Sequence, residues 1–362
     1  MKPTTLTTFR HGPVCFARIE LADGTAGFGQ LSTYDTDLSE EVLHRKIAPL
    51  VLGREFDDIP AVVDAAMEGT YKFPGTYVLR GLSGLETALW DRAGLVEDKP
   101  VVDLLGRRAD AVAVYGSSMR RDVQPEEEAR RMTGLRDQGY RAFKTRVGSA
   151  CGRDEDQWPG RSEKLIETVR QALGDQVDLM VDGNSCYSPE KAIQLGGLLE
   201  SLDYYWFEEP CPYWKYDWTR QVSQALDIRV SGGEQDNYMP AWEAMIDTGV
   251  VDIVQPDICY LGGICRTLEV ARRAAARGLP CVPHSANRTM VTVYALHLMA
   301  SIEKPQKYLE YSIETTPWSD NVLTPELEVI DGQLRIPDRP GWGYQAHPDF
   351  LARAETRTSR AE

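Results

Sequence analysis

The sequence of 362 residues predicts an α/β fold in which a (β/α) barrel follows a smaller α+β module. From residue 111 onward, short β-branched runs alternate with amphipathic segments, and eight strands that alternate with helices pair in parallel and close into a barrel. The predicted strands lie at 111–117, 142–147, 177–182, 204–208, 228–233, 251–257, 280–284 and 308–311. Amphipathic segments at 125–138, 162–173, 189–202 and 264–277 supply helices between them.

The first hundred residues have a different pattern, which predicts the α+β module. Alternating residues from 14 to 20 lead to Asp23-Gly24 and then to Gly27-Phe28-Gly29, a sequence typical of a β-hairpin. Helical periodicity follows at 38–51, 58–69 and 82–93. We therefore predict a capping module over 1–108, a barrel over 109–323, and a turn-rich C-terminal segment over 324–362 that returns to the module.

The net charge of the chain argues against some classes of binding partner. The chain carries 40 basic and 55 acidic side chains, a net charge of −15, which argues against a nucleic-acid partner or an anionic membrane. Seven scattered cysteines form no CxxC pair, as expected for reduced thiols, and residues 1–10 lack the apolar stretch of a signal peptide. We expect a cytoplasmic protein; a small anionic substrate remains compatible with this net charge, because a local cationic cleft can lie on an acidic protein.

Polar residues end seven of the eight predicted strands. In a parallel barrel the carboxyl ends of all strands meet at one mouth, which is where active sites of this architecture lie. So many charged side chains at one mouth would be costly without a function. The residues at these ends are Lys144, Arg146, Asp182, Glu208, Glu234, Asp257, His284 and Glu310.

Three of these residues form a candidate metal site. Asp182, Glu208 and Glu234 end consecutive strands, and each follows the previous one by 26 residues. Carboxylates at one height repel each other unless a cation joins them, and oxygen ligands without His or Cys favour Mg²⁺ or Mn²⁺. The alternative is three separate carboxylates that cap helices or pair with basic side chains.

The other strand ends supply candidate acid–base groups. Lys144 and Arg146 lie two apart on a strand and share one face, where they suit substrate anions or form ion pairs with the carboxylates. His284 and Asp257 end neighbouring strands, and a carboxylate on one imidazole nitrogen raises the basicity of the other. This pairing favours catalysis over a structural role for His284.

The ordered set of motifs resembles the enolase superfamily, and within it the mandelate racemase subgroup, over nearly the whole chain. The motifs include Lys144-x-Arg146, Asp182-Gly183-Asn184, Glu208-Glu209-Pro210, Gly233-Glu234, Gln255-Pro256-Asp257, His284 and Glu310. The resemblance implies a modified (β/α)₇β barrel of TIM type, completed by the capping domain and the C-terminal segment. It also implies a homo-oligomer.

The resemblance assigns roles to six of the eight strand-end residues. Asp182, Glu208 and Glu234 match the ligands of one Mg²⁺, with Mn²⁺ as an alternative. His284 with Asp257 matches the general-base dyad of the subgroup, and Glu310 matches a glutamate that hydrogen-bonds a substrate carboxylate when protonated. The implied reaction is removal of the proton next to a carboxylate.

Arg146 departs from the subgroup, which often has a second lysine base at this position. Arginine is almost never deprotonated, so a two-base racemase is disfavoured. We expect dehydration of a sugar acid to a 2-keto-3-deoxy acid, with a racemase or epimerase, or a non-catalytic barrel that binds metal and ligand, as alternatives. Candidates for contact with the distal substrate are Arg10, His11, Tyr34, Tyr71 and Tyr77.

Overall fold

The computed structural model describes residues 1–361, so Glu362, the last residue of the predicted C-terminal segment, lies outside the described residues. The chain begins with three strands and a group of helices. These are β1 (Pro3–His11), β2 (Val14–Leu21), β3 (Ala26–Gln30), α1 (Thr36–Val42), a π-helical turn (Leu43–Ile47), α2 (Ala48–Val51), α3 (Ile59–Gly69), α4 (Thr76–Glu97) and α5 (Val101–Leu105).

The capping sheet lies directly on α4 because β3 carries two glycines on its inner face. A Cβ at Gly27 would lie 2.2 Å from the carbonyl oxygen of Ala88, and one at Gly29 would lie 2.4 Å from that of Gly84. Any side chain at either position would push the sheet off the helix. The apolar faces of the sheet and of α1–α4 then enclose a core separate from that of the barrel.

Strands and helices alternate through the second part of the chain, as predicted. They are β4 (Ala111–Ser117), α6 (Pro125–Asp137), β5 (Ala142–Arg146), α7 (Arg161–Leu173), β6 (Asp178–Asp182), α8 (Pro189–Ser201), β7 (Trp206–Glu208), α9 (Tyr216–Ala225), β8 (Arg229–Gly232), α10 (Met239–Asp247), β9 (Ile253–Val254), α11 (Ile258–Leu261), α12 (Ile264–Ala276), α13 (Met290–Met299) and β10 (Leu309–Ser312).

The strands from β4 to β9 pair in parallel in chain order, and β10 returns to pair with β4. The prediction of a regular seventh strand is wrong. Residues 280–284 form only isolated β-bridges, from Cys281 to Val254 and to Pro305. The N–H groups of Val282 and His284 still donate to Val254 (3.0 Å) and Pro256 (3.1 Å), but Pro280 and Pro283 have no N–H to donate, so the ladder is incomplete. The barrel has the (β/α)₇β form, with its seventh strand position reduced to one bridging residue.

The C-terminal segment contacts both parts of the molecule. Its elements are β11 (Leu323–Thr324), β12 (Gln333–Arg335), β13 (Gln345–Ala346), α14 (Pro348–Arg353) and β14 (Glu355–Arg360). Strand β12 pairs with the start of β4, and β14 adds an antiparallel edge to β1. The last strand of the chain is therefore part of the capping sheet.

Buried polar contacts join the capping module to the barrel. Glu86 of α4 accepts from the backbone N–H groups of Ile264 (3.0 Å) and Cys265 (2.8 Å), and so caps α12. Gln30, at the end of β3, donates to Thr289 (2.9 Å) and accepts from the N–H of Met290 (3.2 Å). These contacts place the loop after β3 next to the loop that follows His284.

No helix within residues 1–361 is both long enough and apolar enough to cross a membrane.

We expect buried His44 to weaken the fold in acid. It lies between the hydroxyls of Thr8 (2.9 Å) and Ser359 (2.8 Å), and burial lowers its pKa from 6.5 to about 4. A histidine held neutral by the fold contributes its full stability above pH 6.5, and that contribution falls as the pH drops toward 4. Between pH 7 and 5 the loss is about 2 kcal/mol.

Urea unfolding at the two pH values measures this loss. The difference in unfolding free energy between wild type and His44→Gln should shrink by about 2 kcal/mol on going from pH 7 to pH 5. A difference that does not change with pH would contradict the assignment.

Candidate active site

The structure brings the eight strand-end residues to the carboxyl-terminal mouth of the barrel. Arg146, Asp182 and Glu208 lie opposite one another across β5, β6 and β7. Asp257 follows β9 and caps α11, and Glu310 lies on β10. Glu234 and His284 lie in the loops after β8 and after the Cys281 bridge.

Lys144 is buried between two carboxylates. Its Nζ pairs with Oε1 of Glu208 and lies 3.0 Å from Oε1 of Glu310. Burial lowers the pKa of Lys144, but the charges of these carboxylates outweigh it and hold the pKa well above its usual range. Lys144 is therefore a fixed positive charge and not a base in this arrangement.

His284 and Asp257 form a hydrogen-bonded pair. Nδ1 of His284 lies 2.8 Å from Oδ2 of Asp257, whose Oδ1 accepts from the N–H of Tyr260 (2.9 Å). Nε2 of His284 points to the other side, 3.3 Å from Oε2 of Glu234. The pair fixes the orientation of the imidazole so that Nε2 faces the carboxylate cluster.

The charge on His284 depends on Glu234. Burial lowers the pKa of His284, but the carboxylate of Glu234 and the hydrogen bond to Asp257 raise it to about 10. Because Glu234 exerts the largest attraction, a second cation on that carboxylate would lower the pKa of His284 and favour the neutral imidazole that a base requires.

Glu310 accepts hydrogen bonds on both of its carboxylate oxygens and lies between two cations. Its Oε1 accepts from the hydroxyl of Ser117 and its Oε2 from the N–H of Ser285, each at 2.8 Å. Burial raises the pKa of Glu310, but Lys144, His284 and these hydrogen bonds lower it to about 2. Two flanking cations therefore favour the ionised form of Glu310, and donation from a protonated Glu310 to the substrate stays a prediction.

The three predicted metal ligands each face a basic side chain. Lys144 pairs with Glu208, His284 lies next to Glu234, and Nε of Arg146 lies 3.6 Å from Oδ2 of Asp182. Within residues 1–361 no three His, Cys, Asp or Glu side chains stand close enough together to hold a metal ion. The assignment of these three carboxylates to one metal ion stays a prediction; in this structure each carboxylate pairs with the cation within its reach.

Two buried atoms at this point form no hydrogen bond and face only each other, 3.6 Å apart, which tests whether a cation fits. Oδ2 of Asp182 and Nε of Arg146 are both buried and form no hydrogen bond, whereas Oδ1 of Asp182 accepts from the N–H of Asn184 (2.8 Å). Burial, together with the charges of Asp182 and Glu310, raises the pKa of Glu208 to about 7 despite Lys144. An all-oxygen set with an unsatisfied carboxylate oxygen has the chemistry that a hard divalent ion requires.

A cavity of about 170 Å³ opens beside Arg146. Among the five candidates for distal contacts, only Tyr34 lines this cavity. The others are held elsewhere or face solvent: Arg10 pairs with Glu40 and Glu355, His11 packs against Phe350, Tyr71 is exposed, and Tyr77 donates to Asp35. The remaining wall comes from Met119, residues 286–288 and residues of the segment 312–319.

Several site residues were not among the sequence candidates. Gln255 donates to Oε2 of Glu208 (2.8 Å), and Ser117 donates to Glu310. Both lie at strand ends, so the same positional argument could have included them had it extended to uncharged side chains. Met119, 3.0 Å from Arg146 through its sulfur, lies in a loop and carries no sequence pattern that marks it.

Comparisons with known families identify the class of protein that this fold and site define. Residues 2–106 match the family described as mandelate racemase/muconate lactonizing enzyme, N-terminal domain. Residues 125–350 match the family described as enolase C-terminal domain-like. The chain belongs to the enolase superfamily, within its mandelate racemase subgroup.

Its relatives include enzymes that act on sugar acids. The chain is 28% identical over 334 residues to the arabinonate dehydratase of Saccharolobus solfataricus, covering 90% of this chain and 86% of that one. It is 29% identical over 341 residues (91% and 80%) to the L-talarate/galactarate dehydratase of Salmonella typhimurium. It is 32% identical over 285 residues (75% and 73%) to the D-galactarolactone cycloisomerase of Agrobacterium fabrum.

Solved structures agree closely in fold. A protein of Roseobacter denitrificans, described provisionally as a racemase, has 47% identity and a TM-score of 0.98 over 100% of both chains. A mandelate racemase/muconate lactonizing protein of Paracoccus denitrificans, solved in complex with magnesium, has 29% identity and a TM-score of 0.89 over 99% of each chain.

Proposed function

We propose that this chain is a magnesium-dependent hydro-lyase that dehydrates a sugar acid to a 2-keto-3-deoxy acid. The observation that carries the proposal is the asymmetry of the site. One imidazole, held by Asp257 at 2.8 Å, faces the carboxylate cluster, whereas Lys144 and Arg146 on β5 are held as cations. A site with one base removes a proton from one face of the substrate.

Asp182, Glu208 and Glu234 would hold the divalent ion. Oδ2 of Asp182, which is buried and accepts no hydrogen bond, and the magnesium complex of the Paracoccus denitrificans relative support this assignment. When bound, the ion supplies positive charge that polarises the substrate carboxylate and makes the neighbouring proton more acidic. One ion per subunit is proposed, with Mn²⁺ as the alternative.

The protein's own groups then divide the remaining work. Nε2 of His284 takes the proton from C2, and Lys144 lies where its charge stabilises the negative charge that develops on the carboxylate oxygens. The imidazolium returns the proton to the hydroxyl on C3. The C3–O bond breaks, water leaves, and the resulting enol becomes the 2-keto-3-deoxy acid.

A library of sugar acids tests the proposal. Purified protein with Mg²⁺ should convert at least one member to a 2-keto acid, detected as a semicarbazone and identified by NMR. Failure across a broad library, without exchange of any α-proton, would favour a barrel that binds metal and ligand without catalysis.

Racemisation or epimerisation is the second candidate, because the Roseobacter denitrificans relative is described provisionally as a racemase. It requires a base on the Lys144–Arg146 strand. Burial lowers the pKa of Arg146, but the charges of Asp182 and Glu234 raise it above its ordinary value, and Lys144 is held charged in the same way. Arg146 is not suited to accept a proton, because a guanidinium is almost never deprotonated, and Lys144 is held between Glu208 and Glu310 with its charge facing the substrate carboxylate.

Variants of Arg146 separate the two reactions. Arg146→Met should raise KM about tenfold or more, since it removes a cation, and leave the proton-transfer step nearly unchanged in single-turnover experiments. Arg146→Lys should keep exchange measurable and add a group that titrates. Abolition of exchange in Arg146→Met would place the base on β5 and favour the second candidate.

A further inference from the structure

The cavity beside Arg146 contains a second cation that the proposed chemistry does not use. Arg288 lies four residues after His284, in the loop that the capping module contacts, and its side chain lines the cavity together with Arg146 and Tyr34. Its side chain is 30% exposed, and its guanidinium contacts Asp320 and the hydroxyl of Tyr311, which line a neighbouring cavity. The substrate carboxylate next to the reacting carbon is already served by Lys144, which lies deeper in the barrel, so it does not require Arg288.

Arg288 is only weakly neutralised. Within residues 1–361 its one ion pair is to Asp320, at 3.5 Å between NH2 and Oδ1, and Asp320 is 45% exposed. A pair this long and this exposed contributes little and is readily replaced by a buried ligand. Tyr311 and Glu326 lie around a neighbouring cavity that Arg288 also borders, so Arg288 forms part of the wall between the two.

The one carboxylate that lines the cavity beside Arg146 is already neutralised. Glu314 accepts from Arg131 at 2.8 Å, from the N–H of Met119 at 3.0 Å and from Ser118 at 3.3 Å. The cavity wall therefore presents positive charge on a chain whose net charge is −15. A local cationic pocket on an acidic protein attracts a small anion.

We infer that Arg288 binds a second carboxylate at the distal end of the substrate, so that the enzyme acts on a sugar diacid in preference to a monoacid. The inference rests on the proposed function. Guanidinium and carboxylate match in a two-pronged geometry, and a charged hydrogen bond of this kind strengthens binding far more than one to a neutral hydroxyl. The cavity of about 170 Å³ would hold the distal end of such a ligand, while the reacting end lies beside Lys144 and His284.

Three substrates of equal carbon number test the inference: a six-carbon diacid, the matching monoacid, and that monoacid phosphorylated at its far end. Wild type should show the highest kcat/KM with the diacid. Arg288→Met should lower kcat/KM for the diacid about 10- to 100-fold, mainly through KM, and change that for the monoacid less than about threefold. Preference for the phosphorylated acid would overturn the assignment of a carboxylate.

Asp320→Asn is the matched control, because it breaks the same ion pair while leaving Arg288 in place. It should retain the preference for the diacid. If Asp320→Asn and Arg288→Met lose activity alike with all substrates, the pair is structural and the inference is wrong. If wild type converts the monoacid at least as well as the diacid, the inference fails while the proposed function stands; if no acid reacts, the proposed function fails.

Discussion

His284→Asn should lose both turnover and exchange of the α-proton, by the 10²–10⁴-fold or more that a general base contributes. Asparagine is similar in shape and can still hydrogen-bond to Asp257, but it cannot accept a proton at the position of Nε2. Steady-state formation of 2-keto acid measures turnover, and NMR in deuterium oxide measures exchange at C2.

The control for this change is His347→Asn. His347 caps α14 by accepting from the N–H of Asp349 (3.2 Å), and asparagine is itself a good N-cap residue. This variant should keep wild-type turnover. Full α-proton exchange in His284→Asn, with the control unaffected, would show that another group is the base.

Asp182→Asn should abolish the response to Mg²⁺ and lower kcat/KM by about 10³-fold or more, since a metal ion contributes several kcal/mol to stabilising a developing anion. Asparagine preserves the size of the side chain but removes the negative charge of Asp182, whose Oδ2 accepts no hydrogen bond. Wild type should be stabilised by Mg²⁺ through binding to the folded state alone, by about 2.7 kcal/mol at a hundred times Kd. Thermal unfolding with and without Mg²⁺ measures this directly.

Asp175→Asn provides the control from the same segment of the chain. Asp175 is exposed and precedes β6, at the end opposite to Asp182. It should keep both the Mg²⁺-dependent stabilisation and the activity. If Mg²⁺ stabilises Asp182→Asn as much as wild type, the ion binds at a different place.

The barrel could be predicted from sequence because its strands are short, apolar and separated by amphipathic helices. The prediction was wrong where local chemistry prevails over hydrophobicity, as at the seventh strand, where Pro280 and Pro283 lack the N–H groups of a ladder. Strands β1 and β14 were not predicted. Strand β14 is polar and largely exposed, and its partner β1 lies at the other end of the chain, so no local pattern indicates that the two pair.

The positions of the site residues follow from topology, but their charges do not. Strand ends converge in any parallel barrel, so the positions of Asp182, Glu208 and His284 could be expected from the strand pattern. The lowered pKa of Glu310 depends on side-chain distances to Lys144 and on an N–H from Ser285, which no sequence pattern encodes. Arg288 could not be selected as a candidate site residue, because it lies in a loop without periodicity.

In the proposed reaction one base, His284, removes a proton from one face of the substrate, and water is then lost. The most direct test is to run the wild-type reaction in deuterium oxide with Mg²⁺ and an accepted sugar acid, and to analyse both product and recovered substrate by NMR. We expect a 2-keto-3-deoxy acid that carries deuterium at C3, and recovered substrate with its original configuration at C2. Recovered substrate with inverted configuration and deuterium at C2, without 2-keto product, would contradict it.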